Sequence, residues 1–289
     1  MARNQLERLV IVGATGYIGG RLLAAASSTL PAIGTSSRGG ALLRLDLSRP
    51  REFDYSQLRT GDAVILCAGI SSPDFCAREH VRAWALNVEG TAQFMHRAIE
   101  RGADVVFFSS DTVYGERDSD FDEAAPSSPA GEYAEMKLEV ERRFDGHPQV
   151  RSLRLSYVFS RDDKFTSYLR GCAGRGDQAE IFHPFYRAVV HRNDVVQGVL
   201  ALARRWDELP GSVINFGGPE VISRKSFAAT LKDTALPGLQ WRGVEPAAGF
   251  FANRPRVIRM RSPRLATLLG RPALSLREAA RVEFDGKIE

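Results

Sequence analysis

A short apolar run, Leu9-Val-Ile-Val12, stops at the turn Gly13-Ala-Thr-Gly16-Tyr-Ile-Gly19, and this junction constrains the fold of the chain more than any other feature. A continuous apolar run closed by glycine is how a parallel strand buried on both faces reads in sequence. Residues 17–28 then continue as small and apolar side chains, which predicts a helix. Strand, glycine turn and helix in succession make a unit suited to a dinucleotide's pyrophosphate. Gly13 permits the tight turn, Gly16 lets backbone approach the phosphates, and Gly19 allows close packing of helix on strand. The helix N-terminus adds unpaired N–H groups and the positive end of its dipole. Thr15, Tyr17 and Ile18 complete this candidate cofactor-binding turn. Because the spacing is GxxGxxG rather than GxGxxG, the flanking strand and helix carry the assignment.

The same alternation continues. Strands are predicted at residues 31–35, 42–47, 63–67, 105–108 and 150–155. One long helix or two are predicted over 77–101, with Gly102 past the end, and another over 133–144. Residues 124–131, with Pro126 and Pro129, form a loop. The pattern predicts an α/β fold, a Rossmann-type doubly wound parallel sheet. After about residue 160 the alternation weakens, so the expected organisation is a Rossmann domain over 1–158 and a smaller C-terminal substrate-binding lobe over 159–289. Residues 189–216 are expected to return to the first domain.

A chain of 289 residues suffices for such a core plus a lobe. Its 44% hydrophobic and 26% charged residues are ordinary for a globular protein. No apolar run approaches the ~20 residues of a membrane helix. The first residues carry no apolar signal region, so a cytoplasmic enzyme without a membrane partner is expected. Three cysteines, odd in number and irregularly spaced, give neither a disulfide framework nor a metal pattern, and Cys67 reads as packing within a strand. Five histidines form no HxH or HExxH pair, so no metal is expected. The net charge of +4 comes from arginines scattered among acids, which argues against nucleic acid as a partner. The dense basic stretch of Arg254, Arg256, Arg259, Arg261 and Arg264 is either a solvated face or a site for an anionic substrate's phosphates.

At the end of the second strand, a carboxylate would bind ribose hydroxyls and favour NAD. The chain has Thr35-Ser-Ser37-Arg38 there, and Ser37 with Arg38 suits the 2′-phosphate of NADP, with NAD as the alternative. Asp46-Leu47 either flanks the adenine or caps a strand end.

Tyr133-Ala-Glu-Met-Lys137 places a tyrosine and a lysine at i and i+4 on one helical face. A nearby ammonium is expected to lower the phenol's pKa and let it exchange a proton with a carbonyl or alcohol oxygen. Phe107-Phe-Ser-Ser110-Asp-Thr-Val-Tyr-Gly115 sets hydroxyls at a strand's C-terminal end, the edge where open α/β sheets bind ligands.

Taken together, GATGYIGG, Cys67-Ala68-Gly69, Asn87-Val-Glu-Gly-Thr91, SSDTVYG and YAEMK resemble the extended short-chain dehydrogenase/reductase family in order and spacing. The resemblance implies that Tyr133 is the catalytic acid/base, that Lys137 is its partner and holds the nicotinamide ribose, and that Ser110 donates to the substrate oxygen. It places Cys67, Ala68, Gly69 and Asn87 beside the cofactor, Asn87 in a structural role, and it implies transfer of the pro-S hydride. Ser109 reads as strand-end packing.

The dehydratases of this family carry an Asp-Glu pair that is absent after Ser110, so dehydration is not expected. Asp111 is either an auxiliary acid or a turn cap. Arg187-Ala-Val-Val-His-Arg-Asn-Asp194, the stretch from Ile214 to Phe227, and Asn253-Arg-Pro-Arg-Val-Ile-Arg-Met260 resemble the dTDP-4-dehydrorhamnose reductase group. That likeness implies NAD(P)H-dependent reduction of a nucleoside-diphosphate 4-keto-6-deoxy sugar, with Arg187 and Arg254 as diphosphate contacts or else surface arginines; Asp111, as an auxiliary acid, would also face the substrate. An epimerase retaining tightly bound NAD, or a non-catalytic NAD(P)-binding regulatory subunit, remain the alternatives. Family members often form homodimers through the helices holding Asn87 and Tyr133, so a homodimer is expected. The sugar is expected to be read by residues 71–75, 159–168 and 182–186.

Overall fold

The structure, a computed structural model, describes residues 5–40 and 42–285. Residues 1–4, read above as lacking a signal, and residues 286–289 of the expected second lobe lie outside the described residues. Seven strands, β1 (Arg8–Val12), β2 (Ala32–Ser36), β3 (Leu43–Arg44), β4 (Asp62–Leu66), β5 (Asp104–Ser110), β6 (Val150–Leu155) and β7 (Val213–Phe216), form one sheet in the order β7-β6-β5-β4-β1-β2-β3. Every pairing within it is parallel. This is the Rossmann order, and its direction reverses between β1 and β4, where the strand ends leave a crevice.

The helices are α1 (Gly19–Ala26), α2 (Pro73–Arg78), α3 (His80–Trp84), α4 (Thr91–Glu100), α5 (Glu132–Arg143), α6 (Lys164–Arg175), α7 (Arg192–Arg204), α8 (Arg224–Thr234), α9 (Pro263–Leu269) and α10 (Leu276–Asp285). Side chains alternate across a strand, so β1 feeds two separate cores. Leu9 and Ile11 pack with Leu22 of α1, Val195 and Val199 of α7, and Leu265 and Leu268 of α9. Val10 and Val12 pack with Phe94 and Met95 of α4 and Met136 and Val140 of α5. Each such aliphatic side chain contributes about 1.5–3 kcal/mol on burial. The unbroken apolar run at the start of the chain is thus the signature of helices on both faces. Among the described residues no helix is long and apolar enough to cross a membrane.

The structure corrects the expected elements in three places. The first helix begins at Gly19 rather than at residue 17, because Gly13 to Ile18 makes the turn. β3 is only Leu43–Arg44; Leu45 and Leu47 leave the ladder to be buried against the α4 face instead. Residues 77–101 are neither one helix nor two. After α2 and α3 a π turn spans Ala85–Gly90 before α4. A side-chain carbon on Gly90 would sit 1.7 Å from the Leu47 carbonyl oxygen, so the widened turn brings helix backbone directly against that loop.

β7 pairs with β6 in the register Val213–Ser152 to Phe216–Leu155, and α7 belongs to the same core as β1. A separate core gathers Phe165 and Leu169 of α6, Phe227 and Leu231 of α8, and Leu276 and Ala280 of α10.

Candidate cofactor and catalytic site

The turn after β1 has the geometry a pyrophosphate needs. Gly13 adopts a φ of 86°, a conformation that side chains oppose. A Cβ on Gly19 would lie 2.3 Å from the Gly13 carbonyl oxygen, so only glycine lets α1 start this close to the strand. The amides of Thr15, Tyr17 and Ile18 donate to no described residue, and they sit at the head of α1. Open N–H groups at a helix N-terminus fit an anion, and with it a dinucleotide. Tyr17 is anchored to the far side by a 2.7 Å hydrogen bond to Ser160. Beyond β2, Ser37 and Arg38 are exposed, and Arg38 has no ion-pair partner among the described residues. Asp46 is engaged locally, accepting from the Ser48 amide at 2.9 Å and hydroxyl at 2.7 Å, as a strand-end cap does. Leu47 is buried in the core beneath Gly90.

At the end of β4, Cys67 lies one residue beyond the strand rather than inside it, partly accessible, and burial pushes its thiol pKa up. Ala68 and Gly69 continue into the crevice. Asn87, in the π turn, grips the Ile70 backbone from both sides: its oxygen accepts from the Ile70 amide at 2.8 Å and its amide donates to the Ile70 carbonyl at 2.9 Å. The asparagine therefore fixes the loop after Gly69.

Ser110 ends β5, and Tyr133 and Lys137 face it from α5. Lys137 is buried; its Nζ donates to the Phe108 carbonyl of β5 at 2.7 Å and lies 5.9 Å from the Tyr133 ring centre. Burial pushes its pKa down to about 8, against opposing pulls from Cys76, Glu141 and Cys67. The expected lowering of the Tyr133 pKa is not what the structure has. Burial of the phenol raises it strongly, the charge of Asp111 adds to that, and a hydrogen bond with Ser110 opposes it only weakly. Burial of the phenol, not the neighbouring lysine, sets the direction. Ser109 is buried beside Ser110 with its hydroxyl unpartnered.

Asp111 is buried and does not cap the turn; Ser110 does that, its Oγ accepting from the Thr112 amide at 3.2 Å. Asp111 instead accepts from the Ser156 hydroxyl at 2.7 Å and stands 3.7 Å from the Arg187 Nε. Burial raises its carboxyl pKa, with Arg187 the largest opposing influence.

The basic stretch is exposed at Arg256, Arg259 and Arg261, and its arginines are engaged one by one rather than gathered into a cluster. Arg254 pairs with Asp74, Arg259 with Asp118 and Arg261 with Asp120, while Arg264 donates to the Pro210 and Val213 carbonyls. Arg256 packs over Phe251 and its amide donates to Glu116. The segment thus ties residues 254–261 to the loops following β4 and β5. Among the described residues no group of three or more His, Cys, Asp or Glu side chains is placed to hold a metal. Two residues lie in stretches named from the sequence but were not singled out there. Asp74 became visible only through its partner 180 positions away, and Arg224 only through rings at positions 157, 165 and 185.

Comparison with known proteins follows the same lines. The profile of the RmlD substrate binding domain matches residues 7–284. A dTDP-4-dehydrorhamnose reductase of Mycobacterium tuberculosis is 26% identical over 229 residues, 75% of this chain and 72% of that protein. Methionine adenosyltransferase 2 subunit beta of Danio rerio is 25% identical over 215 residues, 71% of this chain and 66% of that one. Among solved structures, a Bacillus cereus UDP-glucuronic acid 4-epimerase in complex with UDP-4-deoxy-4-fluoro-glucuronic acid and NAD superposes with a TM-score of 0.81 at 20% identity, covering 96% of this chain and 98% of that one.

Proposed function

The chain belongs to the RmlD substrate binding domain family, and from that premise we propose that it is an NAD(P)H-dependent reductase of a keto group on a nucleoside-diphosphate sugar, a 4-keto-6-deoxy sugar with NADPH as the reductant. The observation that carries this reading is the meeting of Ser110, Tyr133 and Lys137 at the C-terminal end of β5, beside the open amides of Thr15, Tyr17 and Ile18. When bound on that turn, the reduced dinucleotide supplies the hydride.

The chain's own residues do the rest. Tyr133, its pKa raised by burial, stays protonated through the physiological range and gives its hydroxyl proton to the carbonyl oxygen. Ser110 donates a hydrogen bond to the same oxygen. The Lys137 ammonium, held in place by Phe108, stabilises the negative charge that develops there. Proton transfer from a positioned acid is worth about 10²–10⁴-fold in rate. A homodimer and a cytoplasmic location belong to the same proposal.

The likeness to an adenosyltransferase subunit favours a second reading, a dinucleotide-binding regulatory subunit. A titration with NADPH and NADH, followed by 4-keto nucleotide sugars, separates the two. Reduction consumes NADPH mole for mole, and Tyr133→Phe abolishes it while leaving NADPH bound. Protein that never oxidises NADPH, and whose biological role survives Tyr133→Phe, is a regulatory subunit. NAD released only on denaturation identifies an epimerase.

A further inference from the structure

A serine hydroxyl has one proton to give and two lone pairs that accept. At Ser110 both lone pairs are taken by one neighbour: the Thr112 hydroxyl donates to the Ser110 Oγ at 2.9 Å, and the Thr112 amide donates to it at 3.2 Å. The buried Ser110 hydroxyl is therefore left able to donate and unable to accept further. Thr112 owes its position to the tight turn Asp111–Tyr114 that follows β5. That turn is closed by the Gly115 amide, which donates to the Thr112 carbonyl at 3.1 Å, and is tied down by the Ser128 amide, which donates to the Val113 carbonyl at 2.9 Å.

The Ser110 proton is only loosely held. It reaches the Asp111 Oδ1 at 3.4 Å, a long contact for two oxygens whose hydrogen bonds centre on about 2.8 Å. Asp111 is drawn the other way. Its Oδ2 accepts from the Ser156 hydroxyl at 2.7 Å and stands 3.7 Å from the Nε of Arg187, itself a buried residue rather than a surface one. A carbonyl oxygen entering the crevice can thus take over the Ser110 proton at little cost. The same count bears on Tyr133, which hydrogen-bonds with Ser110 from α5. A serine with a vacant lone pair would accept the phenol's proton. With both lone pairs filled, Ser110 is the donor in that bond, and Tyr133 keeps its own proton for the substrate. Donors fixed in this way before the reaction need no reorganisation when charge develops on the oxygen they face.

We propose that Thr112 is a positioning residue: by filling both acceptor sites of the Ser110 hydroxyl, it turns the protons of Ser110 and Tyr133 onto the substrate's carbonyl oxygen. The assignment rests on the ketoreductase reading above. It is tested by steady-state reduction of dTDP-linked 4-keto-6-deoxyhexoses with NADPH in the wild type, Thr112→Val, Thr112→Ser, Ser110→Ala and the double variant Ser110→Ala/Thr112→Val. Valine keeps the shape of threonine and lacks the donor. Thermal melts and NADPH titrations accompany the kinetics, and Thr112→Ala replaces Thr112→Val if the valine melts early. Thr112→Val is expected to lower kcat about tenfold, the scale of one lost hydrogen bond, with KM and NADPH affinity unmoved. Thr112→Ser should restore most of the rate. Ser110→Ala is expected to lower kcat about 100-fold, and the double variant should be no slower than Ser110→Ala, because Thr112 acts only through the Ser110 oxygen. A Thr112→Val that works as fast as the wild type, or that raises KM alone, overturns the assignment and leaves the ketoreductase reading standing. A double variant about tenfold slower than Ser110→Ala does the same, since Thr112 then acts on the substrate by itself. A wild type that oxidises NADPH with none of these sugars overturns both.

Discussion

Arg254 and Asp74, 180 positions apart, are joined by two hydrogen bonds of 2.7 and 2.5 Å. The aspartate sits in the first turn of α2, so the pair ties residue 254 to the helix that follows β4. Arg254 also lies over the Phe250 ring, 4.6 Å from its centre. Its side chain is 16% exposed and that of Asp74 is 62% exposed, so solvent screens the pair and an incoming anion can compete for the arginine.

Asp74→Asn removes that competition. The expected result is a several-fold lower KM for the nucleotide sugar at unchanged kcat, with stability altered by no more than about 0.5 kcal/mol, as for other exposed pairs. Steady-state kinetics and thermal melts check it. A KM that rises instead would mean that Asp74 positions the arginine rather than restrains it.

Gly19 and Gly20 are adjacent and should respond differently to the same change. A methyl at Gly19 collides with the Gly13 carbonyl at 2.3 Å, whereas at Gly20 it meets the Ala14 carbonyl at an ordinary 3.4 Å. Gly19→Ala is expected to cost about 1–3 kcal/mol of stability, as overpacking does, and to weaken NADPH at least about tenfold. Gly20→Ala should be close to neutral in both. Fluorescence titration with NADPH and denaturant melts compare them.

Lys137 sets a pH limit. Its pKa of about 8 in the folded chain lies below the usual 10.5, so above about pH 8 the native protein loses a charge that the unfolded chain keeps. Two consequences have opposite signs. Between about pH 8 and 10.5 the unfolded state binds more protons, and this group's contribution to stability rises with pH. Over the same range the ammonium that stabilises the developing oxyanion disappears, so kcat/KM for ketone reduction falls. In Lys137→Met the rate should be low and that descending limb absent. A wild-type profile flat through pH 9 would remove the charge of Lys137 from the chemistry.

Arg38 stands exposed past β2 with no acidic partner among the described residues. Arg38→Gln is expected to weaken NADPH about tenfold, the scale of one charge-assisted hydrogen bond, and to leave NADH unchanged. Equal losses for both cofactors would place the arginine elsewhere than at a 2′-phosphate.

Much of this was legible from the amino-acid order because it is local. Leu9 to Val12 announces a strand covered on both faces, and Gly13, Gly16 and Gly19 announce a turn with no room for side chains. Tyr133 and Lys137 share a helical face by spacing alone. What stayed hidden depends on distant partners. Nothing near Gly90 in the sequence reveals that the Leu47 carbonyl lies against it at the end of a π turn. Arg187 and Arg224 look alike in sequence; carbonyls at 186, 255 and 256 separate one from rings at 157, 165 and 185 around the other. The Tyr133 pKa is set by burial and by Asp111, whose orientation no spacing rule supplies.

The position of β7 matters before the protein is ever finished. Six of the seven strands lie within the first 155 residues, but the strand that closes the sheet beside β6 is Val213–Phe216. At roughly 5–20 residues per second of translation, a nascent chain spends several seconds with the β6 edge unpaired. During that interval β6 presents a row of free N–H and C=O groups to any other extended segment. A ribosome that stalls before residue 216 therefore releases a chain primed to pair with its neighbours, and for this fold the hazard of incomplete synthesis lies at one identifiable edge.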